Sequence, residues 1–465
     1  MKGARIGNGI SNIPCRYLTK TMKLLRYFTM LSVIVAILLQ GQLFAKAQTA
    51  KSEVTVWLDA TGDNASTAKC QTDNLVTPFN DQSKTTVLKA QLLPNSWDAT
   101  RTALAGGGAP DIISTPGPSF AYEFAKAGYL APLDDIAAQN NWSKTFAPWA
   151  LNLGKVDGKL YTIPAEVETM ELYYNKTLFA AKGWTAPKTM DELVALAKKI
   201  KAAGIIPFAH ANAEWRAANE WFVTSMLNNV AGPQKVYDAL SGKVKWDDPD
   251  FVKALDILTQ WQTDGYFMGG LDRYYTATFN ESHAALGDGK AAMNIEGTWF
   301  LSTIANFFGD AAKNKNDWDW VPVPSTTGDA IYPLGIGSTW SINSKAKDVK
   351  AAGEFINYMF SPDTQARLLV KCGLAPAGVK LSADSLKDLD PRAAAMRVAL
   401  NDAAAKGSYG YTTWTFWPPK SDTYIYETIE KVWAGSMTST EYLQGLQKVF
   451  DTELKAGNIP PLPTR

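Results

Sequence analysis

The sequence predicts an α/β protein with a largely parallel sheet, built as two domains. Three observations carry this reading. From Glu53 onward, short apolar runs alternate with helical patterns. The length of 465 residues exceeds one ordinary core and suits two domains of roughly 200 residues each. No Pro/Gly/Ser-rich linker separates two sequential halves, so the chain is expected to cross between its domains more than once.

The elements follow in order. Glu53 to Leu58 reads as a strand, and Ala65 to Asp81 as a helix with Leu75, Val76 and Phe79 at helical spacing. Thr85 to Leu93 is a second strand and Trp97 to Ala105 a second helix. The run Gly106-Gly107-Gly108 lacks the GK[ST] ending of a phosphate loop and reads as a helix stop. It leads into a short buried strand, Pro110 to Ile113, and then a helix from Phe120 to Ala127. Met190 to Ala203 buries Leu193, Leu196, Ala197 and Ile200, with Thr189 and Glu192 three apart as a capping box requires. Pro249 to Thr263 has Asp248 as its cap and Pro249 at the first helical position. Ala351 to Phe360 and Pro362 to Val370 follow the same grammar.

The N-terminus reads as an export signal. Lys23 and Arg26 precede an almost continuously apolar run, Tyr27 to Leu39, and Ala45-Lys46-Ala47 forms a small-x-small cleavage site. The run is shorter than the ~20 residues of a comfortable membrane span. Met22 is a second candidate start. Residues 1–47 hold seven basic groups and no acids, which leaves 39 basic and 45 acidic residues beyond them. No basic stripe survives, and no nucleic-acid partner is expected. Cys70 and Cys372 both enter an oxidising compartment, where they either pair or stay separate; two unpaired buried thiols is the preferred reading.

Catalytic signatures are lacking. The two histidines, His210 and His283, sit in no HExxH, CxxC or GxSxG pattern and are expected at the surface or at helix caps. No metal or cofactor is expected. Glu166 and Glu168 stand two apart in an extended stretch, so both face one side. A glycosidase would use two such acids to flank a bond. Ionised carboxylates also accept hydrogen bonds from sugar hydroxyls, and that use suits adjacent same-strand spacing better.

The positive anomaly is aromatic. Sixteen tryptophans are present, several beside polar residues: Trp97-Asp98, Glu214-Trp215-Arg216, Gly297-Thr298-Trp299, and Trp414 near Trp417. A pyranose has an apolar C–H face and a rim of hydroxyls. An indole covers the first, and carboxylates and amides satisfy the second. Trp-plus-carboxylate clusters therefore point to carbohydrate.

Several segments then carry a resemblance. They are Lys155 to Pro164 (KVDGKLYTIP), Leu172 to Lys176 (LYYNK), Pro187 to Leu193 (PKTMDEL), Ala291 to Trp299 (AAMNIEGTW) and Gly373 to Ala377 (GLAPA). In order and spacing the chain resembles family 1 extracellular solute-binding proteins, the maltose-binding-protein-like group. The resemblance implies a two-lobed periplasmic-binding-protein (type II) fold with three hinge crossovers. These are placed near Tyr161–Pro164, Pro322–Leu334 and Cys372–Pro376. The lobes become 48–162 plus 331–372, and 163–330 plus 373–465.

The implied function is non-enzymatic: a monomer in the periplasm that closes on a mono- or oligosaccharide and delivers it to ABC permease subunits. A secreted sugar-active hydrolase, or a binder of a polyol, a glycerophosphodiester or a peptide, is the alternative. An anionic ligand would want cations near the cleft, where only Arg216 and Arg273 offer themselves. By position, Trp299 is expected to stack on a sugar ring, Glu168 to accept hydroxyls, and Trp215 to form the second-lobe wall. Thr115 to Ser119 should line the first lobe, although Thr115-Pro116-Gly117-Pro118 lacks the aromatic and charged residues of maltose-type binders. Gly335-Ile336-Gly337-Ser338 looks like a glycine turn that brings backbone to the ligand. Asp59, Glu166, Trp97 and Trp414 complete the candidate site by strand-end and loop logic.

Overall fold

Alternating inward Val54, Val56 and Leu58 make Ser52–Asp59 a strand with one face in a core, as the period of two requires. The computed structural model describes residues 50–463 apart from 63, 214, 215, 274, 383, 385 and 386. The expected export signal, with Cys15, lies outside the described residues. Among the described residues no helix is long and apolar enough to cross a membrane.

The strands that organise the fold are β1 (Ser52–Asp59), β2 (Thr86–Leu93), β3 (Ile112–Thr115), β4 (Thr162–Pro164), β5 (Val167–Glu168), β6 (Met170–Asn175), β7 (Ile206–Phe208), β8 (Ala291–Gly297), β9 (Trp318–Pro322), β10 (Tyr332–Ile336), β11 (Thr339–Ile342) and β12 (Tyr409–Tyr411). The first sheet has the order β2-β1-β3-β11-β4. Its first three strands are parallel, with Val54 beside Leu88 and Val56 beside Ile112, and β11 runs antiparallel between β3 and β4. The second sheet has the order β9-β6-β8-β7. A small third sheet, β12-β10-β5, lies between them in the chain path, with Gly335 opposite Glu168.

Two large cores match the two main sheets. One gathers Val54, Leu75, Phe79, Ile112, Trp142, Trp340 and Phe355. The other gathers Met170, Leu172, Phe208, Phe222, Trp246, Trp261, Trp417 and Phe450. Ile163 belongs to the first core and Met170 to the second, so the chain changes core between them. It returns between Val323 in the second core and Trp340 in the first. Leu374 and Val379 still pack in the first core, while Tyr409 and Tyr411 pack in the second.

The helices expected from the sequence begin within two residues of their signals. The helices include α1 (Asn64–Gln71), α2 (Ser96–Gly106), α3 (Pro118–Lys126), α4 (Met190–Ala202), α5 (Ala217–Met226), α6 (Pro249–Thr263), α7 (Phe279–Gly287), α8 (Val349–Met359), α9 (Pro362–Cys372), α10 (Pro391–Lys406) and α11 (Pro419–Trp433). Thr189 and Glu192 form the capping box of α4, and the Asp248 carboxylate accepts from Asp250 N at the start of α6. The Gly106-Gly107-Gly108 run stops α2, with Gly107 at φ 80°. α3 also reaches the second core: Ser119 Oγ donates to Trp417 O at 3.1 Å, and Tyr122 OH to Gly457 O at 3.0 Å.

The preference for unpaired thiols is corrected. Cys70 on α1 and Cys372 at the end of α9 form a disulfide across 302 residues of sequence. Both helices pack on the first core, which brings the two thiols together although the sequence keeps them far apart.

Candidate functional site

A cavity of about 180 Å³ opens where the elements of the two cores meet. Its first wall comes from the end of β1 and the turn into α1, the start of α2 and the end of β3, with Asp59, Thr61, Asn64, Trp97, Ser114 and Pro116. Phe120, near the start of α3, adds an aromatic face. The opposite wall comes from α5, α7, β8 and the turn after it, with Glu220, Trp221, Phe279, His283, Glu296, Trp299 and Ser302. Between them lie Glu166, Glu168, Gly337 and Ser338, from the segments that join the cores, and Trp414 of the second core. Thr67 Oγ1 and Ser302 Oγ lie 3.2 Å apart and bridge the two walls.

The second wall is a chain of rings. Phe279 stacks on Trp221 with centroids 5.5 Å apart, Trp221 meets Trp299 at 4.9 Å, and Trp299 meets Trp414 edge-on at 5.9 Å. Trp299 is held in one orientation. Its Nε1 donates to Glu296 Oε1 at 2.6 Å, while Glu296 Oε2 accepts from Asn294 Nδ2 at 2.9 Å and lies 3.2 Å from His283 Nε2. A Cβ at Gly297 would fall 2.1–2.3 Å from the Trp299 ring, so only a bare α-carbon lets the indole fold back there. An indole fixed this way offers a pre-set apolar face.

The carboxylates differ in what already occupies them. Asp59 accepts from Thr61 N and Oγ1, Asn64 Nδ2, and Ser96 N and Oγ, so its acceptors are spent on the turn that shapes the first wall. Glu166 Oε1 accepts from Ser338 Oγ at 2.9 Å. Glu220 accepts from Thr413 Oγ1. Glu168 is 6% exposed, lines the cavity, and accepts no hydrogen bond from the described residues. Burial raises the Glu168 pKa well above the carboxylate range, and the neighbouring Glu166 raises it further. Burial lifts Glu166 to about 7 against the opposing Ser338 hydroxyl and Arg397 charge. Burial and the facing Asp422 raise Glu220.

The sequence-based candidates fall as follows. Trp97, Glu166, Glu168, Trp299, Gly337 and Trp414 line one cavity, and Asp59 lines it with its oxygens committed. Thr115 does not line it: its side chain is buried, and Oγ1 hydrogen-bonds Gly117 O and Thr339 Oγ1 inside the first sheet. Strand alternation sends Ser114 to the cavity instead. Trp215 lies outside the described residues. Of the expected glycine turn, Gly337 and Ser338 line the cavity. Gly335 is paired in β10, and the missing Cβ at Gly337 makes room for the Glu168 carboxylate.

Sequence reasoning missed Trp221, Phe120, Phe279, His283, Glu220 and Glu296. His210 and His283 are both buried, against the expectation of surface positions. His210 sits among Phe222 and Phe267, and burial lowers it to about 3. Among the described residues no group of three or more His, Cys, Asp or Glu is placed to hold a metal ion.

The sequence profile of the bacterial extracellular solute-binding protein family matches residues 74–395. The chain is 27% identical over 305 residues to the multiple sugar-binding protein of Streptococcus mutans, spanning 64% of this chain and 68% of the other. It is 23% identical over 355 residues to a probable sugar-binding periplasmic protein of Brucella suis, spanning 74% and 79%. Its fold is that of a solved chitin oligosaccharide binding protein, with a TM-score of 0.74 and 23% identity over 86% of this chain and 98% of that one.

Proposed function

We propose, from the premise that the chain belongs to the bacterial extracellular solute-binding proteins, that it captures a carbohydrate between its lobes and delivers it to an ABC permease. The observation that carries this reading is the pairing of an oriented indole with an unsatisfied acceptor. Trp299 is fixed beside Trp221 and Trp414, and Glu168 is buried in the same cavity without a hydrogen bond from the described residues. A sugar supplies what each lacks: a C–H face for the indole and a hydroxyl donor for the carboxyl. Trp97, Glu166, Trp221 and Trp414 are proposed to complete the contacts, and Trp215 remains a proposed wall residue.

The lobes are proposed as residues 52–164 plus 339–381, and 170–322 plus 391–463. Strand pairing and core membership support these limits. The joining segments 165–169 and 323–338 act in the hinge. A ligand touching both walls favours the closed arrangement by its differential affinity. We take the protein to be a monomer, exported by residues 1–47 to the periplasm.

Turnover is not part of the reading. Glu166 and Glu168 come from one side of one extended segment, whereas glycosidase acids flank the bond they cut from two sides. The test is a thermal-shift and tryptophan-fluorescence screen over mono- to tetrasaccharides, run beside chromogenic glycosides. Stabilisation and a fluorescence change without hydrolysis are expected. Silence across the whole saccharide panel refutes the carbohydrate reading.

A further inference from the structure

The charge of the cavity is one-sided. Among the described residues its ionisable acids are Asp59, Asp98, Glu166, Glu168, Glu220 and Glu296, and no Lys or Arg lines it. The cations that the sequence offered for an anionic ligand are engaged elsewhere. Arg216 pairs with Glu430 at 3.5 Å, and Arg273 with Glu281 at 2.9 Å. Arg397, behind Glu166, donates to Gly373 O.

An acidic group entering this space would lose its water and meet acceptors. No cationic side chain on the described walls would compensate the desolvation. Burial raises both Glu166 and Glu168, Glu166 raises Glu168 further, and the Arg397 charge opposes the rise at Glu166. A hydroxyl entering the space donates to Glu168, and an ammonium adds charge complementarity to the same contact.

We infer that the site selects its saccharide by charge: neutral and amino sugars are admitted, and sugars bearing a carboxylate, sulfate or phosphate are rejected. Glu168 and Glu166 are the specificity-determining pair. This selectivity rests on the carbohydrate reading and narrows it. It also sets aside a glycerophosphodiester as the occupant of the cavity.

The experiment is isothermal titration of the purified protein at neutral pH with matched sets. These are glucose, glucosamine and glucuronate; galactose, galactosamine and galacturonate; and cellobiose, deacetylated chitobiose and cellobiouronate. Within the set that binds, the uronate is expected to be about 100-fold weaker than the neutral sugar, and the amine at least as tight. The discrimination should persist in about 0.5 M NaCl, because buried charges are poorly screened. A uronate within tenfold of its neutral counterpart overturns the inference and leaves the carbohydrate reading standing. No heat from any set removes the carbohydrate reading itself. Glu168→Gln, which keeps the shape and replaces the carboxyl by an amide whose N–H donors can meet an anion, should narrow the gap between neutral and acidic sugar by about tenfold. An unchanged gap in a variant that melts like the parent overturns the role given to Glu168.

Discussion

Replacing Gly337 by alanine isolates one carboxylate. The Gly337 backbone lies outside the left-handed region, so alanine adopts it without torsional strain. The added Cβ would fall 1.7 Å from Glu168 Oε1, 1.9 Å from its Cδ and 2.3 Å from Oε2. The three nearest atoms all belong to the Glu168 side chain, so the flexible carboxylate must give way. It must retreat by about 1.7 Å to restore ordinary contact at 3.4 Å. A hydrogen bond of about 2.8 Å to a ligand hydroxyl cannot survive that retreat. A net hydrogen bond to a neutral, protonated carboxyl contributes about 0.5–1.5 kcal/mol, so Kd should rise roughly 2- to 13-fold. Stability should barely change, because alanine lowers unfolded-state entropy by about 0.4–1 kcal/mol and offsets the local rearrangement. The assay pairs titration calorimetry of the best saccharide with a melting curve of the free protein. Unchanged affinity with an unchanged melt would refute the placement of Glu168 at the ligand. A large fall in the melting temperature would show instead that the glycine serves packing.

Three further predictions follow from the same geometry. Trp299→Ala should abolish the sugar-induced fluorescence change and cost at least about 2 kcal/mol of binding, roughly thirtyfold; a full response in this variant excludes Trp299 as the stacking face. Reducing Cys70–Cys372, or replacing both by serine, should lower stability by about 2–5 kcal/mol and the melting point by several degrees. Sugar affinity at room temperature should be retained, since neither cysteine lines the cavity; an unchanged melt contradicts the crosslink. Finally, the free protein should melt at a lower temperature at about pH 8 than at about pH 6.5. Glu166, raised to about 7, and Glu168, Glu171 and Glu220, raised well above the ordinary carboxylate range by burial, hold protons in the folded state that the unfolded chain has already released. Stability therefore falls as pH rises through their folded pKa values. Below about pH 6.5 the buried neutral His210, lowered to about 3, acts in the opposite sense. A melting temperature that rises over the alkaline step would refute the burial of these carboxyls.

The fold was largely legible because local signals and tertiary packing agree in it. The expected helix Pro249–Thr263 is observed over that span. The strand expected over Thr85–Leu93 is observed over Thr86–Leu93. Proline at the first turn, a capping aspartate and period-two burial are local properties, and the sequence displays them directly. The disulfide was not legible, because the approach of Cys70 and Cys372 depends on two helices docking on one core.

The site was half legible. Trp97, Glu168 and Trp299 sit at turns and strand ends beside polar residues, where an aromatic or an acid reads as something other than core. Trp221, Phe279 and His283 lie on helices, and Glu296 lies on a strand buried along its whole length, so periodicity reads them as packing. The spacing of Glu296 and Trp299, three apart across a glycine, was the available signal for their contact. Asp59 shows the converse: an acid at the right strand end whose oxygens serve the neighbouring turn.

The most direct measurement is a crystal structure of the protein with the tightest saccharide from the screen. It should show a sugar ring against the Trp299 indole, with a hydroxyl within hydrogen-bond distance of the Glu168 carboxyl. A sugar bound away from this cavity, or one in it that leaves Glu168 without a donor, would contradict the account.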